Sequence, residues 1–204
     1  MASTVAGDHP HGEDIIRDAG KLDLKSGLQL TELIYSKNTL ESSLGLAAIN
    51  SLLPDPKGEI KKTNAFEVLK NKSKNKIAAV FGHFPYLDRL RQTAKELFVF
   101  ELSPHEDELP LNRVPELLPE AEVVAITSNS LINHTIVDIL PYIRNSAFSV
   151  MVGPGTPMSP VLFDYGFSMI AGVRILDEEK LYHSISQGAS FRQIQGVELI
   201  TWNK

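Results

Sequence analysis

The sequence predicts an α/β protein: a parallel sheet with helices on both faces. Three observations predict it. Short, almost wholly apolar runs such as Ile77–Phe81, Val123–Thr127 and Phe148–Val152 recur in the second half of the chain. Segments whose apolar residues fall at helical spacing lie between them. Each run then stops at a loop of glycine, proline, serine or asparagine. A strand with one wet face alternates apolar and polar residues, so continuous apolar runs mark strands covered on both sides.

The elements follow in order. Residues 1–20 are polar and turn-rich, with Gly7, Pro10, Gly12 and Gly20. Residues 28–35 suit a short helix. Asn38 is a suitable N-cap, and Glu41 stands three residues on, as in a capping box. Leu40, Leu44, Ala47, Ala48 and Ile49 continue at helical spacing, and Pro54 and Pro56 end that helix near Leu53. Residues 57–76 hold a glycine and many lysines and read as a linker with one short helix at 65–71. The chain therefore divides into a small helical segment at 1–56, a linker at 57–76 and a sheet domain at 77–204. In that domain the pattern predicts a strand Ile77–Phe81, a helix 86–97 and a strand 98–102. A strand Val123–Thr127, a helix 131–144 and a strand Phe148–Val152 come next. One or two helical turns at 161–165 precede a strand Met169–Ile175, a helix 177–187 stopped by Gly188, and a last strand 197–202.

Composition narrows the function. A net charge of −5 gives no basic surface for nucleic acid or an anionic membrane, and no cluster of lysine and arginine with interleaved aromatics appears. Cysteine is absent, which removes disulfides, thiolate nucleophiles and sulfur-ligated metal sites. No apolar stretch is long enough to span a bilayer, and no basic segment followed by an apolar core marks a signal peptide, so a cytoplasmic location is expected.

In an open α/β sheet, ligands bind beyond the carboxyl ends of the strands. Four such ends stand out. They are Gly82-His83-Phe84-Pro85, Glu101-Leu102-Ser103-Pro104, Thr127-Ser128-Asn129-Ser130 and Gly153-Pro154-Gly155-Thr156-Pro157. The last has two glycines that allow close backbone approach and two prolines that fix its shape. The candidate ligand-binding residues are thus Gly82, His83, Glu101, Thr127, Ser128, Asn129, Gly153, Pro154, Gly155, Thr156 and Pro157.

Glu101, 19 residues beyond Gly82, stands where an acid bonds ribose hydroxyls in dinucleotide-binding folds. The first turn, however, is G-H-F-P and not G-x-G-x-x-G, which argues against NAD or FAD and leaves a nucleoside-like ligand open. Glu101 as a plain loop cap is the equal alternative. His83 is the one candidate for moving a proton, set against a purely structural role. Thr127, Ser128, Asn129 and Asn133 either orient a ligand or cap the following helix. No G-x-S-x-G elbow supports serine hydrolase chemistry.

Near the start, Asp8-His9-Pro10-His11-Gly12-Glu13-Asp14 packs two imidazoles and three carboxylates into seven residues. Imidazole with carboxylate suits iron, cobalt, nickel or zinc. His9, His11 and Glu13 are the candidate metal ligands, and a mobile polar terminus is the competing reading.

The strings G-H-F-P at 82–85, E-L-S-P at 101–104, L-P-E-A-E-V-V-A-I-T at 118–127 and V-G-P-G-T-P-M-S-P-V-L-F-D-Y-G at 152–166 resemble the heavy-metal chelation family. So do L-E-S-S-L-G-L-A-A-I-N-S-L-L at 40–53 and D-H-P-H-G at 8–12. The resemblance implies a Rossmann-like C-terminal domain. It also implies a smaller preceding domain similar to the N-terminal domain of enolase, incomplete or minimal here because family members carry more residues before D-H-P-H-G. Apolar surface left by such a domain would be covered by a partner subunit in a homo-oligomer.

Two functions are expected. The first is binding or chelation of a transition metal ion in a cleft at the strand ends, with donors from His9, His11, Glu13, His83 and Glu101. Glu41 or Asn50 would face in from the helix at 38–53. The second is a metal-free enzyme or binding protein for a nucleoside-like or anionic metabolite on the same rim.

Overall fold

The apolar runs become neighbouring strands of one sheet in the structure, a computed structural model that describes residues 1–4 and 16–204. In chain order the main elements are α1 (Gly27–Thr31), α2 (Thr39–Leu52), β1 (Ile60–Lys61), α3 (Ala65–Lys72), β2 (Ile77–Phe81), α4 (Leu87–Arg91), β3 (Glu96–Glu101) and β4 (Leu109–Pro110). They continue with α5 (Val114–Leu117), β5 (Val123–Thr127), α6 (Asn129–Ile132), α7 (Ile136–Ile139), β6 (Phe148–Val152), α8 (Val161–Asp164), β7 (Met169–Ile175), α9 (Glu178–Ser186) and β8 (Val197–Asn203). The sheet order is β1-β8-β7-β6-β5-β2-β3-β4. From β7 to β4 neighbouring strands are parallel. β8 runs antiparallel to β7, and β1 antiparallel to β8. The chain winds outward in both directions from the β2–β5 pair, the Rossmann-like arrangement whose switch point lies between those strands.

Alternate residues of each strand feed two cores. Phe81, Phe98, Phe100, Ile126, Met151 and Ile170 pack on one face against Val114 of α5, Ile136 and Ile139 of α7 and Phe163 of α8. Ala78, Val80, Val99, Ala125, Val150 and Val152 pack on the other against Leu69 of α3 and Leu87 and Leu90 of α4. The rings of Phe81 and Phe100 stack with centroids 4.8 Å apart across β2 and β3. Burying one such side chain contributes about 2–3 kcal/mol.

The N-terminal helices dock on the carboxyl end of the sheet. Asn38 caps α2, its side chain accepting from the backbone N–H groups of Leu40 and Glu41. From the other end of α2, Asn50 Nδ2 donates to the carbonyls of Gly155 (2.9 Å) and Met1 (2.8 Å). His134 Nε2 donates to the Ile34 carbonyl at 2.7 Å.

Several elements differ from expectation. The helix expected at 86–97 is only Leu87–Arg91. Its remainder is drawn into extended pairing, with Lys95 N–H donating to the Lys76 carbonyl and an antiparallel bridge between Lys74 and Ala94. The strand expected at 98–102 accordingly starts at Glu96. The helix expected at 131–144 is broken into α6, α7 and a 3-10 turn at Leu140–Tyr142. His134, at φ 62°, turns the chain there, and Asn133 Oδ1 accepts from both the N–H and the hydroxyl of Thr135. The last strand is antiparallel, and β1 and β4 form edges that the apolar pattern does not mark. No helix among the described residues is long and apolar enough to cross a membrane.

Candidate ligand site at the strand ends

The register brings the four loops side by side. Phe81 stands opposite both Phe100 and Ile126, and Thr127 opposite Val152, so the loops after β3, β2, β5 and β6 follow one another along one edge. Gly82, at φ 107°, turns the chain out of β2 where a Cβ would stand 3.0 Å from the Thr127 side chain. Only glycine meets both conditions at low cost.

Although adjacent, the loops face different ways. His83 turns toward the 105–108 segment, where its Nδ1 lies 3.0 Å from Glu108 Oε1. Its ring is 69% exposed, whereas the Glu108 side chain is 6% exposed. The other oxygen of Glu108 accepts from the backbone N–H of His105 at 2.9 Å. That N–H, and then His83, hold the Glu108 carboxyl below the usual carboxylate range. Glu108 escapes a reading of strand-end motifs because it lies seven residues past Glu101, just before β4. Glu101 is half-buried in register with Pro110 of β4.

The Thr127–Ser130 turn is largely structural. Thr127 Oγ1 accepts from the Asn129 N–H at 3.3 Å, and the Ser130 hydroxyl donates to the Thr127 carbonyl at 2.7 Å. Ser128 is fully buried, and its Oγ has no hydrogen-bond partner. Gly153 presses against that hydroxyl so closely that a Cβ would overlap it. Gly155, Thr156 and Pro157 are buried beneath α2 and the first residues of the chain. This loop holds its shape because a helix packs on it.

Gly153 and Pro154 also border the main cavity on the rim. It encloses about 490 Å³ on the α3 face of the sheet. Phe84, Pro85 and Tyr86 form one wall, and Val152, Gly153, Pro154, Ala171 and Gly172 form its strand-end side. Phe191, Arg192 and Ile194, before β8, form the opposite wall. Phe66, at the start of α3, meets Phe84 edge-on at 5.3 Å and Tyr86 at 5.0 Å between ring centroids. His83, Glu101, Thr127, Ser128, Asn129, Gly155, Thr156 and Pro157 do not line it. Phe191 and Arg192 lie in a stretch between α9 and β8 with no strand-end signature. The sequence signals that reach this cavity are the F-P-Y run at 84–86 on the other wall and Gly153-Pro154 at the strand end.

Other clefts lie elsewhere on the molecule. A groove of about 650 Å³ follows α9, lined by Glu179, Lys180, His183 and Gln187, all exposed, and it touches no strand end. A cleft of about 350 Å³ lies between the end of α2 and β7. Asn50 Oδ1, Thr156 Oγ1 and Arg174 Nε, from residues lining that cleft, are buried without a partner.

The fit to a metal ion is poor. Among the described residues no three His, Asp or Glu side chains converge to hold one. His83 offers a single imidazole. His9, His11 and Glu13 lie outside the described residues.

Comparison with known proteins adds relatives. A family model described as "Putative heavy-metal chelation" matches residues 64–201, and a second with the same description matches residues 1–53. An uncharacterized protein of Methanocaldococcus jannaschii is 32% identical over 168 residues, which span 78% of this chain and 65% of that protein. The crystal structure of a protein with unknown function from Desulfitobacterium hafniense superposes with a TM-score of 0.72 at 28% identity, covering 87% of this chain and 74% of that one. Another, from Pyrococcus horikoshii, has a TM-score of 0.77 at 20% identity, covering 95% of this chain and 79% of that one, a likeness of fold.

Proposed function

The chain belongs to the heavy-metal chelation family, and on that premise we propose that it is a binding protein whose site is the apolar cavity at the strand ends, occupied by a small organic molecule rather than a bare ion. One observation carries this reading. The cavity of about 490 Å³ lies on the rim where open α/β sheets take ligands, and its size and apolar lining are those of a small-molecule site. The α9 groove is larger, but its walls are solvated polar side chains that would exclude little water from a ligand.

The test uses a cavity-filling variant. Leu199 lines the cavity yet is 46% exposed, so the fold has room for a larger side chain there. Small organic molecules are screened by thermal shift with chelator present, against the wild type and Leu199→Trp. The expected result is a set of compounds that stabilise the wild type and not the variant. Equal shifts in both proteins, or none in either, would overturn the reading.

A transition metal is the second reading, favoured by the His83–Glu108 contact. A carboxylate on one ring nitrogen fixes the tautomer and frees the other nitrogen to ligate. The remaining donors would be His9, His11 and Glu13. Titration with Ni(II), Co(II), Zn(II) and Fe(II) checks it, and affinities weaker than about 1 mM for all four would remove it.

A further inference from the structure

Resting on the strand-end reading above, we propose that the occupant is a flat aromatic monoanion, a carboxylate carried on one or two fused rings, bound by the Phe66–Phe84–Tyr86 corner and by Arg192. The charge of the lining argues this first. Arg192 is its one charged side chain; no Asp, Glu, Lys or His borders the cavity. No carboxylate among the described residues pairs with Arg192. Its guanidinium carbon instead stands 5.9 Å from the centre of the Tyr86 ring. An unpaired guanidinium against an aromatic wall keeps its planar fork of donors for an incoming carboxylate, and repels a cation.

The shape of the lining argues the rest. Four aromatic residues, Phe66, Phe84, Tyr86 and Phe191, border a space whose other surfaces, apart from Thr63, Asn64 and Arg192, are small or aliphatic. Aromatic rings favour edge-to-face and offset-stacked partners, the contacts Phe66 already makes with Phe84 and Tyr86 and that a ligand ring would extend. A nucleoside fits poorly, because its ribose hydroxyls need acceptors. Asn64 and Thr63 are the only neutral polar side chains in the lining besides the Tyr86 hydroxyl, and Asn64 Oδ1 already accepts from the Phe66 N–H at 3.0 Å. Glu101, which would take such hydroxyls, does not line the cavity.

The experiment compares 1-naphthoate with its neutral counterpart 1-naphthalenemethanol by calorimetric titration of the full chain, chelator present. The acid is expected to bind about tenfold tighter than the alcohol, the order set by a charge-assisted contact. Arg192→Gln should erase that difference by weakening the acid about tenfold more than the alcohol, while Leu199→Trp should weaken both. Raised salt should weaken the acid alone. Equal affinity of acid and alcohol for the wild type, or equal loss of both in Arg192→Gln, overturns the anion and leaves the strand-end cavity standing. Failure of both probes to bind, or binding indifferent to Leu199→Trp, overturns the cavity reading with it.

Discussion

Two carboxylates and one glycine show how single residues set the conditions for this fold. The Glu41 carboxyl is held below the usual range by the Ser36 hydroxyl first, and it also accepts from the Arg17 N–H at 2.7 Å. The Glu108 carboxyl is depressed likewise by the His105 N–H. For both, the unfolded chain binds a proton more readily than the folded one. Their contribution to stability is therefore complete above the ordinary carboxylate value of 4.5 and is lost as pH falls through the lower folded-state values. Urea midpoints measured from pH 6 to pH 3 should fall on the acid side, and fall less steeply in Glu41→Gln. A parallel curve for that variant would contradict the assignment. Gly45 acts by space alone, since a Cβ there would overlap the backbone of Leu33 and Ile34. Gly45→Ala should cost about 3 kcal/mol, lowering Tm by about 6–12 °C, and a calorimetric scan would read it. Nothing in L-G-L announces this, because the clash is with a turn twelve residues earlier.

At the scale of elements, local chemistry was readable where a short-range contact decides the outcome. The Asn38 cap is one such contact, and Asn38→Ala should cost about 1 kcal/mol, a fall in Tm of about 2–4 °C that Asn38→Asp should restore. The strands Ile77–Phe81, Val123–Thr127 and Phe148–Val152 were legible to the residue, since both faces are buried and such almost wholly apolar runs have no other use; Met169–Ile175 was legible as well, although it ends in half-buried Arg174 and exposed Ile175. The two long helices were not. Leu131, Ile136, Ile139 and Leu140 keep a helical period, yet they pack on one core from two short helices and a 3-10 turn, with His134 breaking the run after Leu131. A helical period fixes which residues face the core, and a break that preserves the facing leaves the period intact. Docking of His134 on the Ile34 carbonyl gives the break its partner. His134→Ala should loosen the 28–35 segment, seen as faster proteolysis there with the sheet unaffected.

Across the whole molecule, the winding of the chain decides what the rim can hold. The sequence places four polar turns on one edge, and the register puts them there. It does not say which face of the sheet each turn folds toward. The 155–157 turn goes under α2, His83 goes toward Glu108, and the cavity falls to Phe84–Tyr86 and to the 191–194 stretch brought in by the antiparallel β8. The same winding sets a gradient of stability. β2, β5 and β6 lie inside the sheet with strand residues almost wholly buried, while β1 and β4 are two-residue edges. Exchange of interior amides requires global opening, whereas edges exchange by fraying. Hydrogen exchange should therefore leave peptides over Val123–Thr127 and Phe148–Val152 protected longest and those over 60–61 and 109–110 exchanged first. The cavity wall at 191–194 should exchange early as well and slow when an anion occupies it, because that wall leads into the start of β8, which β1 pairs only further on, at Thr201 and Trp202. Protection there equal to that of β5 in the free protein would mean the wall is set before any ligand arrives.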